Sequence, residues 1–121
     1  MSERTISFVK STAARFPTLN LLMEEHVRDN LNEILPHVFF GDVTRHVLSL
    51  LFAGSSDGLE SQRELRDILD YLEDTYSTGD EELRELISVS FLENLPRPGE
   101  KGAQIREMVG LNLRRQLHMI G

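Results

Sequence analysis

Apolar residues recur along this chain at three- and four-residue spacing, and nowhere do they alternate with polar ones over a useful length, so each element they predict is a helix. The most apolar element is expected from Asp80 to Leu95. Asp80 is placed as its N-cap after Gly79, Glu81 and Glu82 sit at the positive end of the helix dipole, and Pro96 and Pro98 forbid continuation. Past the acidic first turn, where Leu83 is the one apolar residue, Leu86, Ile87, Val89, Phe91 and Leu92 point in nearly every direction with only Ser88 and Ser90 between them. A helix apolar on all sides belongs in the middle of a bundle. Its two serines read as packing residues whose hydroxyls bond a carbonyl one turn back.

The other elements arrange themselves around that one. Ile6, Val9, Ala13 and Phe16 form the stripe of a first helix, from Arg4 to Phe16, which Pro17 ends. Thr18 is placed as the cap of a second, with Leu19, Leu22, Met23, His26, Val27, Leu31 and Ile34 at helical spacing up to Pro36 and with Asp29, Asn30 and Asn32 as points of interruption. After LPHVFFGD, Asp42 is read as the cap of a third helix whose face is Val43, Val47, Leu50 and Leu51, widened by Leu48 and Phe52 and stopped by Gly54 in a GSSDG loop. The fourth, from Leu59 to Tyr76, has the cleanest pattern: Leu65, Ile68, Leu69, Leu72 and Tyr76 turn inward, and Ser61 with Glu64 matches a capping box. A short STGD turn sends it back antiparallel into the central helix, and after NLPRPGEKG a last helix carries Ile105, Met108, Val109, Leu113, Leu117 and Ile120, with a kink expected at Gly110. The predicted fold is all-α, a compact monomeric bundle of five to six helices built around a central buried helix, in one domain over residues 1–121.

The size suits a single core and is too small for two. A formal charge of −7 argues against a nucleic-acid or anionic-membrane surface, since phosphate binding needs a basic patch to release counterions. With no cysteine, disulfides and thiolate metal sites are excluded. MSERTISFVKS has charges where a signal peptide would be apolar, and no apolar run approaches the roughly 20 residues of a membrane span, so the expected location is cytoplasmic.

Charge is concentrated in one window. Between Asp57 and Glu85 eleven acidic residues face Arg63, Arg66 and Arg84, a local balance of −8, while the rest of the chain sums to +1. Acids are favoured in first turns and on solvated faces, and pairs such as Arg63 with Asp67 and Arg66 with Asp70 would offset part of the excess. Yet the outer face of the fourth helix collects Glu60, Arg63, Asp67, Asp70 and Asp74 on one stripe, and Asp67, Asp70 and Asp74 at helical spacing repel one another. The candidate partner-binding residues are therefore Glu60, Glu64, Asp67, Asp70 and Asp74, continued by Asp80, Glu81, Glu82 and Glu85 at the start of the central helix. Tyr71 and Tyr76 are the candidate aromatic anchors among them.

Chemistry of other kinds finds no support. His26, His37, His46 and His118 form no HExxH or other i,i+4 pair, and His26 on an apolar face reads as a satisfied core histidine. No GxSxG elbow surrounds a serine, PRPGEKG is not a phosphate loop, and the carboxylates lie on an exposed face where nothing would tune them for acid–base work. The expectation is a protein that is not an enzyme and needs neither cofactor nor metal.

The segments LPHVFFGDVTR, ELRDILDYLEDTYSTGDEELRELI, ISVSFLENLPRPGE and IREMVGLNLRRQL, spanning residues 35–117, resemble a group of small all-helical bacterial immunity-type proteins encoded beside polymorphic or contact-dependent toxins. The resemblance implies inhibition by binding: a cytoplasmic, acidic domain that covers the active site of a cognate toxin domain, often a basic nuclease. The hairpin also resembles one HEAT unit, although no second copy appears at a fixed period. Two readings follow. In one, the acidic face neutralises a toxin; in the other, the domain is a helical adaptor whose partner surface is apolar, around Phe39 and Phe40.

Overall fold

The computed structural model of the chain describes residues 2–53 and 58–120 and, among these, is all-helical. The expected GSSDG loop, with Gly54 as helix stop, lies largely outside the described residues. No described helix is long and apolar enough to cross a membrane.

Helix α1 (Glu3–Arg15) starts on the Ser2 side chain, which accepts the Thr5 amide at 3.2 Å, and ends at Phe16, held extended by Pro17. Its buried face is Thr5, Phe8, Val9, Thr12 and Ala13, whereas Ile6, expected at its centre, is half-buried. Helix α2 (Pro17–Asp29) takes that same proline as its first residue, where a missing N–H costs nothing. It stops well short of Pro36. Leu31 and Asn32 adopt left-handed backbone, with φ of 54° and 64°, and Leu31 is thrown out to 91% exposure instead of joining the apolar face. Buried His26 closes this corner: its Nε2 accepts the Leu35 amide at 2.9 Å, and its ring meets Phe39 edge-on at 5.9 Å.

Helix α3 (Pro36–Phe52) begins six residues before Asp42, again with proline in the first turn. This early start carries Phe39 and Phe40 onto the inner face, where both are fully buried with Val43 and Val47. Helix α4 (Gly58–Ser77) buries the five residues expected of it: Leu65, Ile68, Leu69, Leu72 and Tyr76. It starts three residues ahead of Ser61, so Ser61 and Glu64 do not mark its cap.

Helix α5 (Glu81–Ser90) is capped by Asp80, whose carboxylate accepts the Leu83 amide at 3.1 Å, and it packs against α1, α3 and α4 together. It is central, as its composition required, but shorter. The α-helix ends at Ser90, the chain tightens into a 3₁₀ turn over Leu92–Asn94, and Val89 stays 43% exposed while Leu86, Ile87, Phe91 and Leu92 fill the core. The serines serve other elements rather than their own helix. Ser88 accepts from Gln116 Nε2 at 3.2 Å, the Ser90 hydroxyl meets His37, and the Ser90 carbonyl, left free by the helix end, accepts Thr44 at 3.2 Å and Asn94 at 2.9 Å.

The last expected helix is two. The single turn α6 (Ile105–Met108) and helix α7 (Leu111–Ile120) are separated by extended Val109 and by Gly110, and α7 returns onto α4 and the 3₁₀ turn. Gly102 holds the loop before them in left-handed backbone, φ 90°, with Phe52 Cζ 2.9 Å from where a Cβ would stand.

Candidate partner-binding face

Because α4 spends one stripe on the core, its acids are driven to the other. Glu60, Asp67, Asp70 and Asp74 are exposed, as are Arg63 and Arg66, yet among the described residues neither the Arg63 and Asp67 pair nor the Arg66 and Asp70 pair forms an ion pair. The stripe therefore keeps its negative charge facing solvent. Glu81, Glu82 and Glu85 on α5 are exposed too.

The remaining expected members have work inside the fold. Glu64 is half-buried and its carboxylate is 2.6 Å from His46 Nε2 on α3. Asp80 caps α5 and pairs with Arg4 at 3.0 Å. Glu82 accepts from Ser2 and, at 3.2 Å, from Thr5, and together with Glu85, His37 and Leu86 it lines a pocket of about 300 Å³ beside α1. Glu82 and Glu85 thus line a pocket shared with α1 and α3.

The two tyrosines separate in the same way. Tyr76 is only 8% exposed, with the Arg84 guanidinium 5.1 Å over its ring and Arg84 Nε donating to the Tyr76 carbonyl at 2.8 Å, so it is a core residue and not a docking anchor. Burial pushes its hydroxyl above the ordinary tyrosine value, and the charge of Arg84 offsets part of this. Tyr71 is half-buried: stacked on Phe8 at 6.0 Å and edge-on to Phe16 at 5.6 Å, it leaves one side in a groove with Arg4, Ser7, Thr75 and Leu83. It is the aromatic that remains reachable.

One acid of the window has a role that spacing did not reveal. Glu73 leaves the Asp67, Asp70 and Asp74 stripe and turns to α7, where Oε1 accepts the Leu113 amide at 3.0 Å and Oε2 accepts the Asn112 amide at 3.2 Å and its side chain at 2.8 Å. The signal that could have located it is Gly110, one residue ahead of the helix that Glu73 caps.

The apolar alternative loses the surface assigned to it, since Phe39 and Phe40 are interior. Among the described residues no three His, Asp or Glu side chains are grouped to hold a metal ion. What the outer face of α4 can do is electrostatic: it presents unneutralised carboxylates at helical spacing to a cationic surface.

A family model described as a domain of unknown function, DUF7674, matches residues 9–119. The chain belongs to the DUF7674 family. The match takes in all of α2 to α6 and the whole of the acidic stripe of this DUF7674 domain. Neither curated proteins nor solved structures give a match.

Proposed function

We propose that this DUF7674 domain is an immunity-type protein that acts by binding, not by catalysis, and neutralises a cognate, basic toxin domain, a nuclease in the simplest case, by covering its active site. The observation that carries this reading is the outer stripe of α4: Glu60, Asp67, Asp70 and Asp74 are exposed, and the arginines beside them leave them unpaired. Such a stripe offers a nuclease the charge pattern of a phosphate backbone, speeds encounter, and leaves affinity to a few desolvated groups, of which Tyr71 is the reachable one. The fold beneath suits the role, because α4 is anchored along its inner face by Leu65, Ile68, Leu69, Leu72 and Tyr76. The protein is cytoplasmic and monomeric when free in this reading, binds no nucleic acid itself, and meets its partner over about 800 Å² per side.

The test is co-expression with the toxic domain encoded beside its gene, followed by association kinetics at two salt concentrations. Asp67, Asp70 and Asp74 changed together to Lys should lower the on-rate about tenfold or more. The same change at Glu24, Glu25 and Asp29, which are exposed on α2, should do little. Equal rates for the two sets would remove the acidic face as the binding surface and leave an apolar adaptor surface in its place.

A further inference from the structure

Positive charge collects at the opposite end of the chain, around α6 and α7. A cleft of about 770 Å³ there is lined by Arg106, Arg114, His118 and Glu107, with Pro98, Ala103 and Leu117 supplying apolar wall. Like Arg63 and Arg66, neither Arg106 nor Arg114 forms an ion pair among the described residues. They are tethered to the backbone instead. Arg106 donates to the Pro96 carbonyl at 3.2 Å, and Arg114 donates to the carbonyls of Glu107 at 2.7 Å and Val109 at 3.3 Å. Each guanidinium has five N–H donors in a fixed fork, so these bonds hold the group in place and leave other donors available.

We propose that this cleft binds a small organic carboxylate, its anionic end between the Arg106 and Arg114 guanidiniums and its apolar body against Pro98, Ala103 and Leu117. The volume lies within the range of small-molecule sites, and the lining combines an apolar wall with a few directed polar groups. The charge of the ligand follows from the lining. Two guanidiniums against the Glu107 carboxylate leave one net positive charge, which a monoanion matches and a phosphate monoester, close to a dianion at neutral pH, exceeds. Guanidinium also takes carboxylate by two parallel hydrogen bonds, which a single point charge would not provide. The site is independent of the acidic stripe on α4.

The experiment is an amide NMR titration of the full chain with benzoate, benzamide and phenyl phosphate as probes. Benzoate should give saturable shifts confined to residues 96–118, and benzamide, which has the same body without the charge, should bind at least about tenfold more weakly. Arg106→Gln and Arg114→Gln should each weaken benzoate about fivefold or more, and Arg115→Gln, exposed on the same helix outside the cleft, should not. Non-saturating shifts, equal binding of benzamide, or equal loss in Arg115→Gln would overturn the site. Tighter binding of phenyl phosphate than of benzoate would overturn the carboxylate. The comparison of the three probes uses the unaltered protein, so it stands even if an arginine variant unfolds the last helix.

Discussion

The Glu73 carboxylate occupies the space that a Cβ on Gly110 would need: Cγ and Cδ of Glu73 lie 2.4 and 2.5 Å from that position. From there it caps the first amides of α7, and so ties the end of the chain to the C-terminal part of α4. Gly110→Ala must displace this cap even though the backbone itself tolerates alanine. We expect it to cost about 1 to 2 kcal/mol, the usual worth of a cap, and Glu73→Ala to cost about the same. The double variant should be little worse than either alone, because both remove one interaction. Additive losses in a urea titration would show that the two residues act separately.

The core position of α5 rests on Ile87 and Phe91. Both are fully buried, and truncation to Ala should cost about 2 to 5 kcal/mol each. Val89→Ala should cost under about 1 kcal/mol, since a half-exposed valine leaves no closed cavity. Thermal melts of the three variants distinguish these outcomes, and a Val89 loss as large as that of Ile87 would contradict the orientation of the helix.

How far the sequence could be read differs from element to element. The inner face of α4 was legible in full because an apolar stripe from Leu65 to Tyr76, about three turns, has a single helical solution. The start of α3 was not, because Pro36 stops one helix and opens the next by the same chemistry, and reading it only as a stop placed Phe39 and Phe40 in a loop. Leu31 fits the periodicity of α2 and is exposed only because two left-handed residues break the register, which Asn30 and Asn32 hinted at but did not locate. At the candidate face, exposure of Asp67, Asp70 and Asp74 followed from the stripe. The cap made by Asp80 was legible too, but its pairing with Arg4 and the tasks of Glu64, Glu73 and Glu82 depend on partners 18 to 80 residues away, which no local spacing encodes.

Burial raises the pKa of the Tyr76 hydroxyl, with Arg84 acting the other way, and this makes the fold sensitive to base. Above pH about 10 the unfolded chain loses the Tyr76 proton first, so it holds fewer protons than the folded chain and stability falls as pH rises through the interval up to the raised value. Tyr76→Phe keeps the ring and removes the titration. Its melting temperature should therefore decline less between pH 9 and pH 11 than that of the parent; parallel declines would assign the base sensitivity to other groups.

Tyr71 packs in the fold and, under the proposed function, also anchors a partner, and the two can be separated. Its ring is packed between Phe8 and Phe16, so Tyr71→Ala should destabilise the free domain by about 2 to 4 kcal/mol. Tyr71→Phe keeps the stack and loses only the long 3.4 Å contact with Thr12, and it should melt within about 2 °C of the parent. A partner that uses the hydroxyl would then dissociate faster from Tyr71→Phe at unchanged stability, which assigns the effect to the interface.

The acidic stripe should also leave a mark on the protein by itself. Asp70 has Asp67 three residues before it and Asp74 four after, and the one cation at matching spacing, Arg66, does not close onto it. Repulsion at such spacings is worth a few tenths of a kcal/mol per pair and is screened by salt. Asp70→Asn removes both repulsions without adding a cation, and its lower helix propensity is close to that of Asp. The variant should therefore gain about 0.5 kcal/mol at low ionic strength, or about 2 °C in melting temperature, and the gain should shrink toward zero near 1 M salt, where the screening length is about 3 Å. A stabilised variant that also binds its partner more slowly would mean that the native carboxylate is kept at the expense of stability, the pattern expected where binding sets the charge. No gain at low salt would mean that the stripe is already relaxed by solvent and by side-chain motion, and the observation on which the immunity reading rests would lose its weight.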